Sequence, residues 1–228
     1  MLRFQFLGIP FVVAPYFWFL SAFLGSSLLA GNPEHGTLLL LVWVACVFVS
    51  IVVHELGHAL AARRYGLAPS IELAGMGGLT SFPGGALTRA QHIAVVCAGP
   101  AAGLTLWLVV KVFRGRVGDL GLSPFLDGDT PGSLAANEAL RFLLQINLWW
   151  TVFNLLPVLP LDGGQILRDL LGPRLHGTAR IISAVIGGAV CVLALLGRQY
   201  YMAVLFGFLT FNNLRGNPQS LGGGVSRN

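Results

Sequence analysis

LLLLVWVACVFVSIVVHELGHALAARR, residues Leu38 to Arg64, decides how the chain folds. An almost unbroken apolar run, Leu38 through Val53, leads into His54-Glu55-Leu56-Gly57-His58 and closes on Arg63-Arg64. The length suits a membrane-crossing helix, which needs roughly 20 apolar residues. Three ionisable residues therefore fall inside a span, where a charged group costs about 2.5–3.5 kcal/mol or more and by default marks function. Residues four apart share a helical face, so His54 and His58 can both reach one metal ion. Glu55 stands close to the ion's open position, where it can take a proton from a bound water. On a soluble helix two such histidines would be solvated surface. In hydrocarbon, only a partner or a metal makes their burial tolerable.

Composition agrees with a membrane-embedded chain. Of 228 residues, 55% are hydrophobic and 10% charged, against about 25% charged in soluble domains. The mean hydropathy is +0.75. The net charge of +5 raises nucleic acid as a partner, but the basic residues lie singly or in pairs at the ends of apolar runs. That pattern is an orientation signal and excludes a nucleic-acid patch. Cys46, Cys97 and Cys191 each sit in an apolar run without metal-ligand spacing, and imply neither a metal site nor a disulfide framework.

Before the His54 helix, Arg3 to Pro15 is too short to span, and Phe4, Phe6 and Ile9 to Val13 suggest a short strand or an interfacial segment. A first helix is expected from about Pro15 to Ala30, with Pro15 opening it. It lacks the features of a cleavable signal peptide. After the His54 helix, Tyr65 to Thr88 is rich in glycine and proline, including Gly75-Met76-Gly77-Gly78 and Pro83-Gly84-Gly85. Non-helical backbone at membrane depth survives only where protein buries it or where it lines a cavity. A re-entrant hairpin beside the metal site fits; a flexible interfacial loop is the alternative. A further span follows from about Ala90 to Lys111, where Gly99 to Gly103 allow close helix approach, and His92 reads as interfacial. Gly115 to Asn137, with Asp119, Asp127 and Asp129, reads as an extramembrane loop.

From about Glu138 the chain is apolar as far as Phe153, then continues Asn154-Leu155-Leu156-Pro157-Val158-Leu159-Pro160-Leu161-Asp162-Gly163-Gly164. Two prolines three apart must break the helix. Catalytic zinc usually takes three protein ligands and leaves one position for water. Asp162 is the candidate third ligand; its alternative role is to cap a helix from Gly163 onward. Thr178 to Gly197 and Gln199 to about Leu214 complete the expected set of about six transmembrane helices, and Asn217 to Asn228 reads as a disordered tail. The expected architecture is an all-α membrane protein, residues 1–216, with a re-entrant Gly-rich β-hairpin and a broken helix at the metal site.

The pairing of His54-Glu55-Leu56-Gly57-His58 with Asn154-x-x-Pro157 and Leu161-Asp162-Gly163-Gly164 resembles the site-2 protease family of intramembrane zinc metalloproteases. Gly77-Gly78 and Ala98-Gly99-Pro100 resemble further elements of that family. The resemblance covers roughly Phe6 to Leu170, and implies His54, His58 and Asp162 as ligands of one Zn2+ and Glu55 as the catalytic carboxylate. It implies Asn154 in contact with substrate or with the developing oxyanion, and the Gly77-Gly78 hairpin as a strand partner for an unwound transmembrane substrate. No inserted PDZ or appended CBS domain is expected in this chain. A zinc-binding membrane protein without peptidase activity, carrying metal or holding client helices, is the alternative; such a site would not need Glu55. Basic residues near span ends number nine against five when both termini are cytoplasmic, which favours that topology. Compact size and the lack of organelle signals favour a prokaryotic plasma membrane.

Overall fold

The computed structural model describes residues 1–75, 77–83, 85, 87–117, 119–122, 126, 128 and 130–216. The expected tail at 217–228 and the acids Asp127 and Asp129 lie outside the described residues. Two strands, β1 (Leu2–Phe6) and β2 (Ile9–Val13), precede two short helices, α1 (Pro15–Leu24) and α2 (Ser27–Gly31). The long helix α3 (Gly36–Arg64) is followed by β3 (Ser70–Ala74) and β4 (Gly77–Ser81), then by α4 (Arg89–Gly115). The chain continues through α5 (Pro131–Asn154) and α6 (Asp162–Leu171) to α7 (His176–Leu196) and α8 (Tyr200–Arg215). Gly36–Arg64, Arg89–Gly115 and Pro173–Leu196 are long and apolar enough to cross a membrane. The protein is an integral membrane protein.

The expectation of an all-α chain with one hairpin is corrected by a four-stranded sheet in the order β1-β2-β3-β4. β1 and β2 form an antiparallel hairpin, as do β3 and β4, while β2 and β3 pair in parallel across the α1–α3 crossover. Alternation explains how the sheet is held. Ile9, Phe11 and Val13 of β2 and Ile71 and Leu73 of β3 point inward and pack with Phe17 against Val47, Ile51 and Ala59 of α3. The strand period of two thus matches one buried face.

Two boundaries also differ from expectation. The first helix is interrupted at Gly25-Ser26, where the backbone passes so close to α3 that a Cβ on Gly25 would stand 2.4 Å from Trp43 Cδ1. α5 starts at Pro131, inside the stretch expected to be loop, because Thr130 and Ser133 close a capping box around a proline in the first turn. The helices α3, α4 and α5 pack on one another, and α6 packs between α4 and α7. α3 and α4 approach closely enough that a Cβ on Gly57 would meet Ala98 O at 2.3 Å. Of the cysteines, Cys46 is buried, Cys191 is half-buried and Cys97 is exposed, so only the first is a core residue.

Candidate metal centre

α3 stays helical through His54-Glu55-Leu56-Gly57-His58, so its geometry aims two imidazoles the same way. α5 ends at Asn154, and Leu155 to Leu161 form a non-helical link before α6 begins on Asp162 itself. The break expected from Pro157 and Pro160 is present, and it returns the chain so that Asp162 faces α3. His54 Nε2 and His58 Nε2 stand 3.2 Å apart. Asp162 Oδ2 lies 3.2 Å from the first and 3.5 Å from the second. All three side chains are buried.

This trio fits a metal. His58 Nδ1 donates to Val95 O at 2.9 Å, which leaves Nε2 as a bare acceptor facing the carboxylate oxygen. Among the described residues Asp162 Oδ2 has no well-formed hydrogen bond, so a carboxylate oxygen and the bare His58 nitrogen converge on one point beside His54 Nε2. A tetrahedral zinc with bonds of about 2.0–2.2 Å separates its ligands by about 3.3–3.6 Å, close to the spacings observed. His54, His58 and Asp162 are thus positioned to bind one metal ion.

Glu55 is buried, 5% exposed, and is covered by β4. Thr80 Oγ1 donates to Glu55 Oε2 at 2.7 Å, and a Cβ on Gly78 would meet Glu55 Cγ at 2.3 Å. Gly78 and Thr80 are two apart in one strand, so the same face of β4 both makes room for the carboxylate and orients it. Gly99 does the same for the metal side, since a Cβ there would stand 2.1 Å from His58 Nε2. Gly77 adjoins Trp150, in the strand that carries Gly78. Asn154 is half-buried and donates back to Trp150 O at 2.9 Å; among the described residues its amide is not bonded to the trio.

Thr80 was missed in the sequence. Its only signal was its place two residues beyond Gly78. His92, read as interfacial, pairs with Asp169 of α6, and Arg168 stands 3.3 Å from the same carboxylate. Burial pushes the Asp169 carboxyl up, but the hydrogen bond and charge of His92, with Arg168, outweigh it and hold the group below the usual carboxylate range. This contact ties the far end of α6 to α4, whose Val95 O holds His58.

The pattern of peptidase family M50 matches residues 126–195, the stretch that holds the link and Asp162. The sll0528 protein of Synechocystis sp. is 34% identical over 172 residues, 72% of this chain. The solved site-2 protease from Methanocaldococcus jannaschii has the same fold, with a TM-score of 0.64 and 25% identity across 100% of this chain and 98% of that one. The chain is thus similar to peptidase family M50 in sequence and to a site-2 protease in fold. Another relative, the zinc metalloprotease MJ0392 of M. jannaschii, is 29% identical over 213 residues, 92% of this chain. The chain spans 42% of the length of the Synechocystis relative and 54% of MJ0392.

Proposed function

We propose that this chain is an M50-type intramembrane zinc metalloprotease that hydrolyses a peptide bond within or near the transmembrane segment of membrane-protein substrates. One observation carries the reading: a buried triangle of two imidazole nitrogens and a carboxylate oxygen, with the buried Glu55 next in sequence to the first ligand. His54, His58 and Asp162 hold one Zn2+, which supplies Lewis acidity for a scissile carbonyl and an attacking water. Glu55 takes the proton of that water as it attacks, then hands it to the leaving nitrogen. Thr80 keeps the carboxylate turned towards the work. The edge position of β4 supports its offering backbone groups at Gly77 and Gly78 to an unwound substrate as an added strand. Asn154, at the end of α5, contacts substrate or the developing oxyanion once its bond to Trp150 O is released.

In the same reading residues 1–216 form one membrane domain of six crossings, with α1–α2, α5 and α8 joining the three long apolar helices. Both termini face the cytoplasm of a prokaryotic cell, and the metal lies on the order of 8–14 Å in from that side, counting 1.5 Å per residue from Arg63. The test uses purified wild type and Glu55→Gln in detergent against single-span substrates, with bound zinc measured in both. The expected result is chelator-sensitive cleavage inside the apolar segment by wild type, none by the variant, and equal zinc in the two. Cleavage by Glu55→Gln at the wild-type rate would refute the role of Glu55.

A further inference from the structure

His54 and His58 differ on the sides that face away from the trio. His58 Nδ1 has its carbonyl, Val95 O, at 2.9 Å. His54 Nδ1 is buried and has no partner among the described residues, and the same holds for Thr151 Oγ1 of α5. Both atoms look onto one spot. The point where a Cβ on Gly103 would stand lies 2.9 Å from Thr151 Oγ1, 3.9 Å from Asn147 Oδ1 and 4.0 Å from His54 Nδ1. Gly103's own helix and chain neighbours aside, these are the three nearest heavy atoms, and all of them are polar. His54, Thr151 and Asn147 are each 2% exposed.

The hydrogen-bonding capacities are complementary. The Asn147 amide spends its two N–H groups on Ser50 Oγ at 2.9 Å and Leu143 O at 2.8 Å, which turns Oδ1, an acceptor, towards the niche. If His54 binds metal through Nε2, its Nδ1 carries the proton and is a donor. The Thr151 hydroxyl can serve either way. A buried water needs two to four polar partners and room for one probe. Such a water accepts from His54 Nδ1, donates to Asn147 Oδ1 and exchanges a hydrogen bond with Thr151.

We infer that the niche beside Gly103 holds one water that is the outer partner of His54, and that Thr151 and Asn147 are positioning residues for this ligand. The inference rests on the reading of the trio as a zinc site. Its consequence is asymmetric support for the two histidines: a backbone carbonyl fixes His58, and a replaceable water fixes His54. Outer partners of metal-bound histidines are worth roughly 10–100-fold in metal affinity.

The experiment measures zinc affinity by chelator competition on the purified full chain, with the apo-protein melting temperature recorded alongside. Thr151→Val, which keeps shape and removes the hydroxyl, is expected to bind zinc about 10–100-fold more weakly with an unchanged apo melting temperature. Thr151→Ser is expected to restore the wild-type affinity. Gly103→Ala fills the niche, so Thr151→Val on that background is expected to cost little more, the two changes failing to add. Wild-type affinity in Thr151→Val, full additivity in the double variant, or an affinity loss that serine does not rescue would each overturn the inference while leaving the zinc site standing. A wild-type chain that binds no zinc would overturn the zinc reading, and this inference with it.

Discussion

The two halves of the metal centre are built in opposite ways. His54, Glu55 and His58 ride on one turn of a 29-residue helix, whose backbone hydrogen bonds are internal. Asp162 arrives at the end of a link that has lost its helical bonds and borrows others. Leu159 N donates to Ser183 Oγ of α7 at 3.1 Å, and Leu159 O accepts from Asn213 Nδ2 of α8 at 2.7 Å. The α7–α8 pair, which contributes nothing to the trio, thus satisfies buried backbone that would otherwise stand orphaned. One half of the site is local and self-supporting; the other is held in place by the far end of the chain.

That contrast can be broken most severely at Gly163. A Cβ there would stand 2.1 Å from Leu155 O, a backbone atom with nowhere to go. Gly163→Ala is expected to open the link and abolish stoichiometric zinc binding, measured by metal analysis of the purified chain, while the α3 half persists as helix by circular dichroism. A smaller effect is expected at the prop. Asn213→Leu leaves Leu159 O buried and unbonded, at a cost of about 1–3 kcal/mol, read as a lower melting temperature in detergent. If the link were self-supporting like α3, that temperature would not move.

The smallest effect concerns the other end of α6, at Asp169. His92 and Arg168 outweigh the effect of burial and hold its carboxyl below the usual carboxylate range. A depressed carboxylate contributes stability that is present above its unfolded pKa and is lost as the pH falls through the folded value. Wild type should therefore exceed Asp169→Asn in stability by about 1 kcal/mol near pH 6. The gap should close as the solution is acidified through and below the usual carboxylate range. A gap independent of pH would show that Asp169 acts by shape alone.

The same contrast governs what could be read before the structure. His54, Glu55 and His58 were legible because helical periodicity alone places them. Asp162 was legible as a ligand candidate because Pro157 and Pro160 forbid a continuous helix, although the way the link returns to α3 depends on Ser183 and Asn213. The β3–β4 hairpin announced itself through Gly77 and Gly78. The parallel pairing of β2 with β3 did not, since Phe11 and Ile71 are separated by three helices and nothing local encodes their register. Thr130 and Pro131 did carry the start of α5, but the polar composition of the stretch hid it. Thr80, Thr151 and Asn147 gain their meaning only from side chains on other elements, and no spacing within the sequence points to those contacts.

The borrowed bond from Asn213 to Leu159 also sets an order in time. A chain is made from its N-terminus at about 5–20 residues per second, and Asn213 follows Leu159 by 54 positions. The His54 turn is therefore synthesised early and can fold as soon as α3 is inserted. The carboxylate that completes the trio must wait roughly 3–11 s longer for its prop. During that interval the nascent protein carries His54 and His58 but lacks a fixed Asp162, so a ribosome-bound fragment in the membrane does not yet hold the complete trio.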